Sequence, residues 1–246
     1  VSRWKESGET ILPANLEKIY DYAFKKGIRL NTIKEQLFRE ECLENHVLLF
    51  HGAKTKISGA ISDVKSRENN DFGKGFYCGE SLEQSAMFVA GFPQSSLYML
   101  DFDKAGQKEL KLGVEQDWML MIAFFRGKLT AYERHPMIQR ILNRLSGIDY
   151  VVAPIADNRM FQIIDSFIEG EITDVQCQHC LSATNLGNQY VFLTQRAADR
   201  IQILRKCYLA SVEKEAYISV RIEDAKVSNE KVKIARRQSR GQGEYI

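Results

Sequence analysis

The chain has 246 residues, 44% hydrophobic and 27% charged, with a formal net charge of +2. It is long enough for one large domain or a domain with extensions, its composition is that of a globular protein, and its overall charge gives no sign of a nucleic-acid binder. No apolar run reaches the ~18–20 residues of a membrane helix, the start Val1-Ser2-Arg3-Trp4-Lys5 lacks an apolar secretory core, and five scattered cysteines fit a reducing compartment, so a cytoplasmic location without membrane contact is expected.

Leu16, Ile19, Tyr20, Tyr22, Ala23 and Ile28 recur at helical spacing, which predicts a helix over 13–29 with Gly27 near its end. A second helical stretch covers about 32–44, so residues 1–45 read as an N-terminal helical extension. The apolar run Val47-Leu48-Leu49-Phe50-His51-Gly52 is a strand, and polar residues 58–74 form a loop. Ser81-Leu82-Glu83-Gln84 is a capping-box pattern that starts a helix carrying Phe88. Ser96–Phe102 alternates as a strand, and Trp118–Phe125, apolar on nearly all sides, is a buried helix.

Tyr150–Ala153 is a short strand that Pro154 limits, and Met160, Phe161, Ile164, Phe167 and Ile168 share one face of a helix ending at Gly170. A short helix from Thr173 precedes a strand at Gln189, Arg196–Leu204 reads as a helix, and Ala216–Ile222 as a strand. The stretch from Lys231 to Gly241 carries five positive and no negative side chains, either as a solvated terminus or as a contact for RNA, DNA or an acidic partner. Residues 206–246 are therefore expected to form a C-terminal strand and basic tail. Strands and helices mix without a regular βαβ beat, which favours an α+β fold.

His51-Gly52 is followed about twenty-five residues later by Asp71-Phe72-Gly73-Lys74-Gly75-Phe76-Tyr77. A strand ending in His-Gly and a glycine-punctuated turn ending in an aromatic can build a slot for a flat ring, with glycine admitting close backbone approach, Tyr77 offering a π face and His51 a directional hydrogen bond. Taken alone, His51 reads first as a polar strand end, and Tyr77 and Phe88 also read as core aromatics, although the Gly73-x-Gly75 context favours a ligand slot. Asp71-Phe72-Gly73 also spells a kinase metal-binding triplet, but no glycine-rich phosphate loop or His-Arg-Asp loop accompanies it. Cys177-Gln178-His179-Cys180 hints at zinc, yet a four-ligand site needs a second cluster that the chain does not show, so no metal is expected.

Phe72-Gly73-Lys74-Gly75-Phe76-Tyr77 with Ser85-Ala86-Met87-Phe88 resembles the nicotinamide pocket of the diphtheria-toxin-like ADP-ribosyltransferases, which include the poly(ADP-ribose) polymerases. The resemblance covers roughly 45–200 and implies a catalytic domain over 46–205, a split β-sandwich with flanking helices around an NAD cleft. His51 and Gly52 match the first motif, where the imidazole holds the NAD ribose and the Gly backbone the carboxamide. Tyr77, after Gly75, matches the second and would stack on nicotinamide. Phe88, eleven residues on, would cover its other face. The third motif opens a strand with Glu in the family, whereas this chain reads Asn188-Gln189-Tyr190-Val191-Phe192.

The resemblance is nearest to a poorly characterised bacterial branch that shares a stretch similar to 149–161, and members of that branch often accompany small partner genes in toxin–antitoxin or phage-defence modules. It implies NAD as co-substrate, no metal, a mono-ADP-ribosyltransferase acting on a macromolecule (nucleic acid ahead of protein), and an antitoxin-like protein partner. Catalytic roles fall to His51, Tyr77 and Gln189, and NAD contacts to His51, Gly52, Gly75, Tyr77, Phe88 and Arg159. Arg159 reads equally as solvent-facing charge beside a helix cap at Asp157. A base, if the acceptor needs one, would be Asp157 or Glu80. The alternative is a sensor that binds an NAD-like ligand and leaves it intact, because a neutral Gln189 lacks the charge of Glu.

Overall fold

The computed structural model describes residues 11–183 and 187–246. Helices α1 (Pro13–Lys25) and α2 (Leu30–Glu40) precede strand β1 (His46–Ala53). β2 (Phe76–Gly79), α3 (Leu82–Ala90), β3 (Ser96–Asp103), β4 (Glu109–Lys111), α4 (Gln116–Phe125), α5 (Pro136–Asn143) and β5 (Tyr150–Pro154) follow. Then come α6 (Asn158–Ile168), α7 (Asp174–Ser182), β6 (Asn188–Phe192), the single turn α8 (Gln195–Ala198), β7 (Ile201–Cys207) and the long α9 (Ser211–Gln238). The fold is α+β, built on a mixed sheet whose described strands run β4-β5-β6-β2-β1-β3-β7.

Local chemistry sets several boundaries. Gly27, with φ of 79°, follows α1, Ser81 accepts from the Gln84 N–H at the start of α3, and Asp157 caps α6 by accepting from Arg159 N and Met160 N. The capping box is complete at α7, where Thr173 and Gln176 satisfy each other's backbone. α4 is apolar all round because it is enclosed: Trp118 through Ala123 are all buried.

One row across the sheet positions the site. Phe50 pairs with Gly79, Gly79 with Gln189, and Gln189 with Ala153, so these four share one face of the sheet. At one end of the row Phe50 packs with Leu82, Ala86 and Val89 of α3, and at the other Ala153 packs with residues of α4, α6 and α7. Gly79 and Gln189 therefore lie in the seam between two helical layers. The opposite face carries Leu49, Phe76, Phe102, Tyr150 and Phe192.

The sheet is nearly split between β1 and β2. β1 keeps eight registered pairs with β3 but a single one with β2, at Phe50–Gly79, beyond which the two strands part.

Two expected elements are corrected. The helix read over Arg196–Leu204 is only the turn at Gln195–Ala198, and Ile201–Cys207 is a strand that pairs with β3. The strand read over Ala216–Ile222, and with it the C-terminal strand of 206–246, lies inside α9, and the basic tail is the end of that helix. Alternating β-branched residues made 216–222 look extended, but a helix lets Ala216 and Tyr217 approach α3 and α2. No described helix is long and apolar enough to cross a membrane.

Candidate functional site

Three of the motif residues fall on three adjacent strands, His51 on β1, Tyr77 on β2 and Gln189 on β6. Tyr77 and Gly79 are two residues apart on β2, so Tyr77 shares the face of Gly79 and Gln189. Its hydroxyl donates to Gly73 O at 2.8 Å and accepts from Phe72 N at 3.0 Å, so the ring is clamped across its own turn. Burial raises the Tyr77 hydroxyl pKa well above the usual phenol range, and this group stays protonated.

His51 occupies the split. By alternation it belongs to the opposite face, where its ring stacks on Phe76 at 4.4 Å, and its Nδ1 lies 2.6 Å from the Tyr77 carbonyl oxygen. A carbonyl only accepts, so Nδ1 carries the proton and Nε2 of the neutral ring is an acceptor, which has no partner among the described residues. Burial lowers the His51 pKa and outweighs the opposing effect of the Tyr77 carbonyl, which favours that neutral form.

Gln189 is buried, and its Nε2 donates to Asp71 Oδ2 at 2.7 Å and to Pro154 O at 3.1 Å. Both partners are pure acceptors, so the amide orientation is fixed, and Oε1 has no hydrogen-bond partner among the described residues. Asp71 Oδ1 accepts from Arg126 Nε at 2.9 Å and Nη2 at 2.5 Å, and Oδ2 also accepts from Ala156 N at 3.3 Å. The Arg126 guanidinium lies 4.7 Å over the Phe161 ring.

The glycines have packing reasons of their own. A Cβ on Gly52 would come within 2.9 Å of Ser85 O and 2.7 Å of Val89, so this glycine lets α3 approach β1. A Cβ on Gly75 would meet Phe192 O at 2.9 Å, so that glycine lets β2 lie against β6. The Ser85 hydroxyl sits above Gly79, 3.1 Å from where its Cβ would be. Phe88, 55% exposed, borders the Gly52 position at 3.4 Å. A large aromatic left exposed beside the site is a ready ligand face.

Arg159 is placed elsewhere. It pairs with Asp157, donates Nη1 to Ala225 O of α9 at 3.1 Å, and lines a cavity of about 200 Å³ between α6, α7 and α9. The arginine linked to Gln189, through Asp71, is Arg126. Neither candidate base is free: Asp157 caps α6 and holds Arg159, and Glu80 accepts from Asn188 N at 2.9 Å and from its side chain. Cys177 and Cys180 turn their thiols to the carbonyls of Ile163 and Val232, while His179 bonds Ser239.

Sequence reading missed Asp71 and Arg126 as site residues. The signals were present: Asp71 opens the Asp-Phe-Gly triplet, and Arg126 is the one charge closing an apolar helix.

Fold and site define an α+β protein whose sheet seam holds a tyrosine and a glutamine beside a buried ion pair, with a histidine at the split between β1 and β2. Residues 47–203 match the family described as a protein of unknown function, DUF3990, and the chain belongs to that family. No curated protein and no solved structure matches the chain.

Proposed function

We propose that the protein is an NAD-dependent mono-ADP-ribosyltransferase. The observation that carries the reading is the placement of His51, Tyr77 and Gln189 on three adjacent strands, with Tyr77 and Gln189 on the face of Gly79, His51 in the split bonded to the Tyr77 carbonyl, and Phe88 exposed on α3. The residues fit an NAD co-substrate: His51 Nε2 and Gln189 Oε1, two acceptors without partners among the described residues, suit ribose hydroxyls, and Tyr77 and Phe88 suit the faces of nicotinamide.

NAD supplies a nicotinamide–ribose bond that breaks through an oxocarbenium-like transition state. The work left to the protein is to hold the leaving ring, orient the ribose and stabilise positive charge. Tyr77 is suited to the first because its clamped ring costs little entropy to use. Gln189 accepts without carrying charge, and losing such a preorganised contribution commonly costs ~3–4 kcal/mol of barrier. That slows the reaction and argues for single transfer over chain elongation.

All five cysteines are free, in keeping with a cytoplasmic protein. The basic end of α9 favours a nucleic-acid acceptor over protein, and the resemblance favours a toxin or defence effector restrained by an antitoxin-like partner. The neutral Gln189 favours the second reading, a sensor that binds NAD and leaves it intact.

Purified protein incubated with labelled NAD and separated RNA, DNA and protein pools tests both. Label in one pool, abolished by His51→Ala and Tyr77→Ala, is the expected result and names the acceptor class. NAD binding that depends on Tyr77 without label or nicotinamide release would select the sensor. Absence of NAD binding would sink both.

A further inference from the structure

The Gln189 carboxamide is one end of a chain of contacts that runs Gln189–Asp71–Arg126 through the protein interior. Asp71 is 6% exposed, and Arg126 also donates to the Ala156 carbonyl, so all three groups are held from several sides. A glutamate at position 189 would bring an oxygen to 2.7 Å from Asp71 Oδ2 and 3.1 Å from Pro154 O. Three acceptors would then meet with no proton among them, and one guanidinium would face two carboxylates. The amide is what this pocket admits.

We infer that Asp71, held by Arg126, is a positioning residue for Gln189. It takes both the place and the charge that a glutamate would have, one hydrogen bond further from the ribose. By accepting from Nε2, Asp71 fixes the carboxamide with Oε1 turned away from itself and left for a ligand hydroxyl. Its charge polarises the amide and makes Oε1 a stronger acceptor through the bond. Asp71 itself touches no reacting atom, and Arg126 holds it in register.

This role rests on the NAD reading above, and the test separates the two. Single-turnover nicotinamide release, NAD affinity and thermal unfolding are measured on the full chain for wild type, Asp71→Asn, Gln189→Glu and the double variant. Each single variant is expected to release nicotinamide about 10–100-fold more slowly while NAD affinity changes much less. Gln189→Glu is also expected to lose thermal stability as pH rises, because deprotonation sets two carboxylates against each other. In the double variant an amide at 71 donates to a carboxylate at 189, so rate and stability recover.

A folded Asp71→Asn protein with the wild-type rate overturns the positioning role alone, as does a double variant no better than the poorer single. A wild type that releases no nicotinamide overturns the transferase reading and this role together.

Discussion

Because Nδ1 of His51 carries the proton that the Tyr77 carbonyl accepts, the ring offers Nε2 as an acceptor only while neutral. Burial lowers its pKa below the ordinary value of 6.5. The sign follows: the unfolded chain takes up the proton at higher pH than the folded one, so the stability from neutral His51 is complete above 6.5 and lost as pH falls through the lower folded value. Melting temperatures from pH 8 to 5 are expected to fall more steeply for wild type than for His51→Gln, whose amide can still donate to Tyr77 O. On the proposed transferase reading, NAD affinity of the wild type should weaken as pH falls through the lowered folded value. Parallel curves for the two proteins would refute the assignment.

At the level of elements, the walls of the site are set by how closely backbones approach. Gly52 admits α3 to β1, and the atoms that a side chain would strike include the carbonyl of Ser85, which cannot swing aside. Gly52→Ala is expected to destabilise the fold by about 1–3 kcal/mol and to displace the helix that carries Phe88. Denaturant unfolding measures the first, and the quenching of NAD-analogue fluorescence measures the second. An unchanged midpoint would mean that α3 yields without cost.

Sequence patterns were legible at this scale where periodicity and caps agreed, as at α3 with Ser81 and α7 with its box. They failed for Ile201–Cys207 and for 216–222, where similar runs of branched residues became strand in one place and helix in the other. The open edge of β3 decided the first, and the lack of a partner strand decided the second.

For the molecule as a whole, α9 ties the parts together: it packs on α3, reaches Arg159 at the start of α6, and ends against α7. Near its start Glu213 is buried beside Arg29, Asn31 and Tyr217, and burial raises its pKa. A raised carboxyl favours the neutral form in the folded state, so its stability contribution is present below the ordinary value of 4.5 and lost as pH rises through the folded value. Glu213→Gln is therefore expected to raise Tm by a few degrees at pH 7–8, with the gain shrinking toward pH 4. A loss of Tm at neutral pH would mean that Arg29 compensates the charge in full.

The sequence by itself determined the α+β class, the place of most elements, and the spacing that links His51, Tyr77, Phe88 and Gln189. Those features are local, since periodicity, caps and motif intervals are written in consecutive residues. Only the tertiary structure decided that Gly79 and Gln189 lie in the seam, that Arg159 turns to α9, and that Asp71 and Arg126 stand behind Gln189. Asp71 lies 118 residues from Gln189 along the chain, and what joins them is a buried donor that needs an acceptor, a requirement that exists only once both have left water.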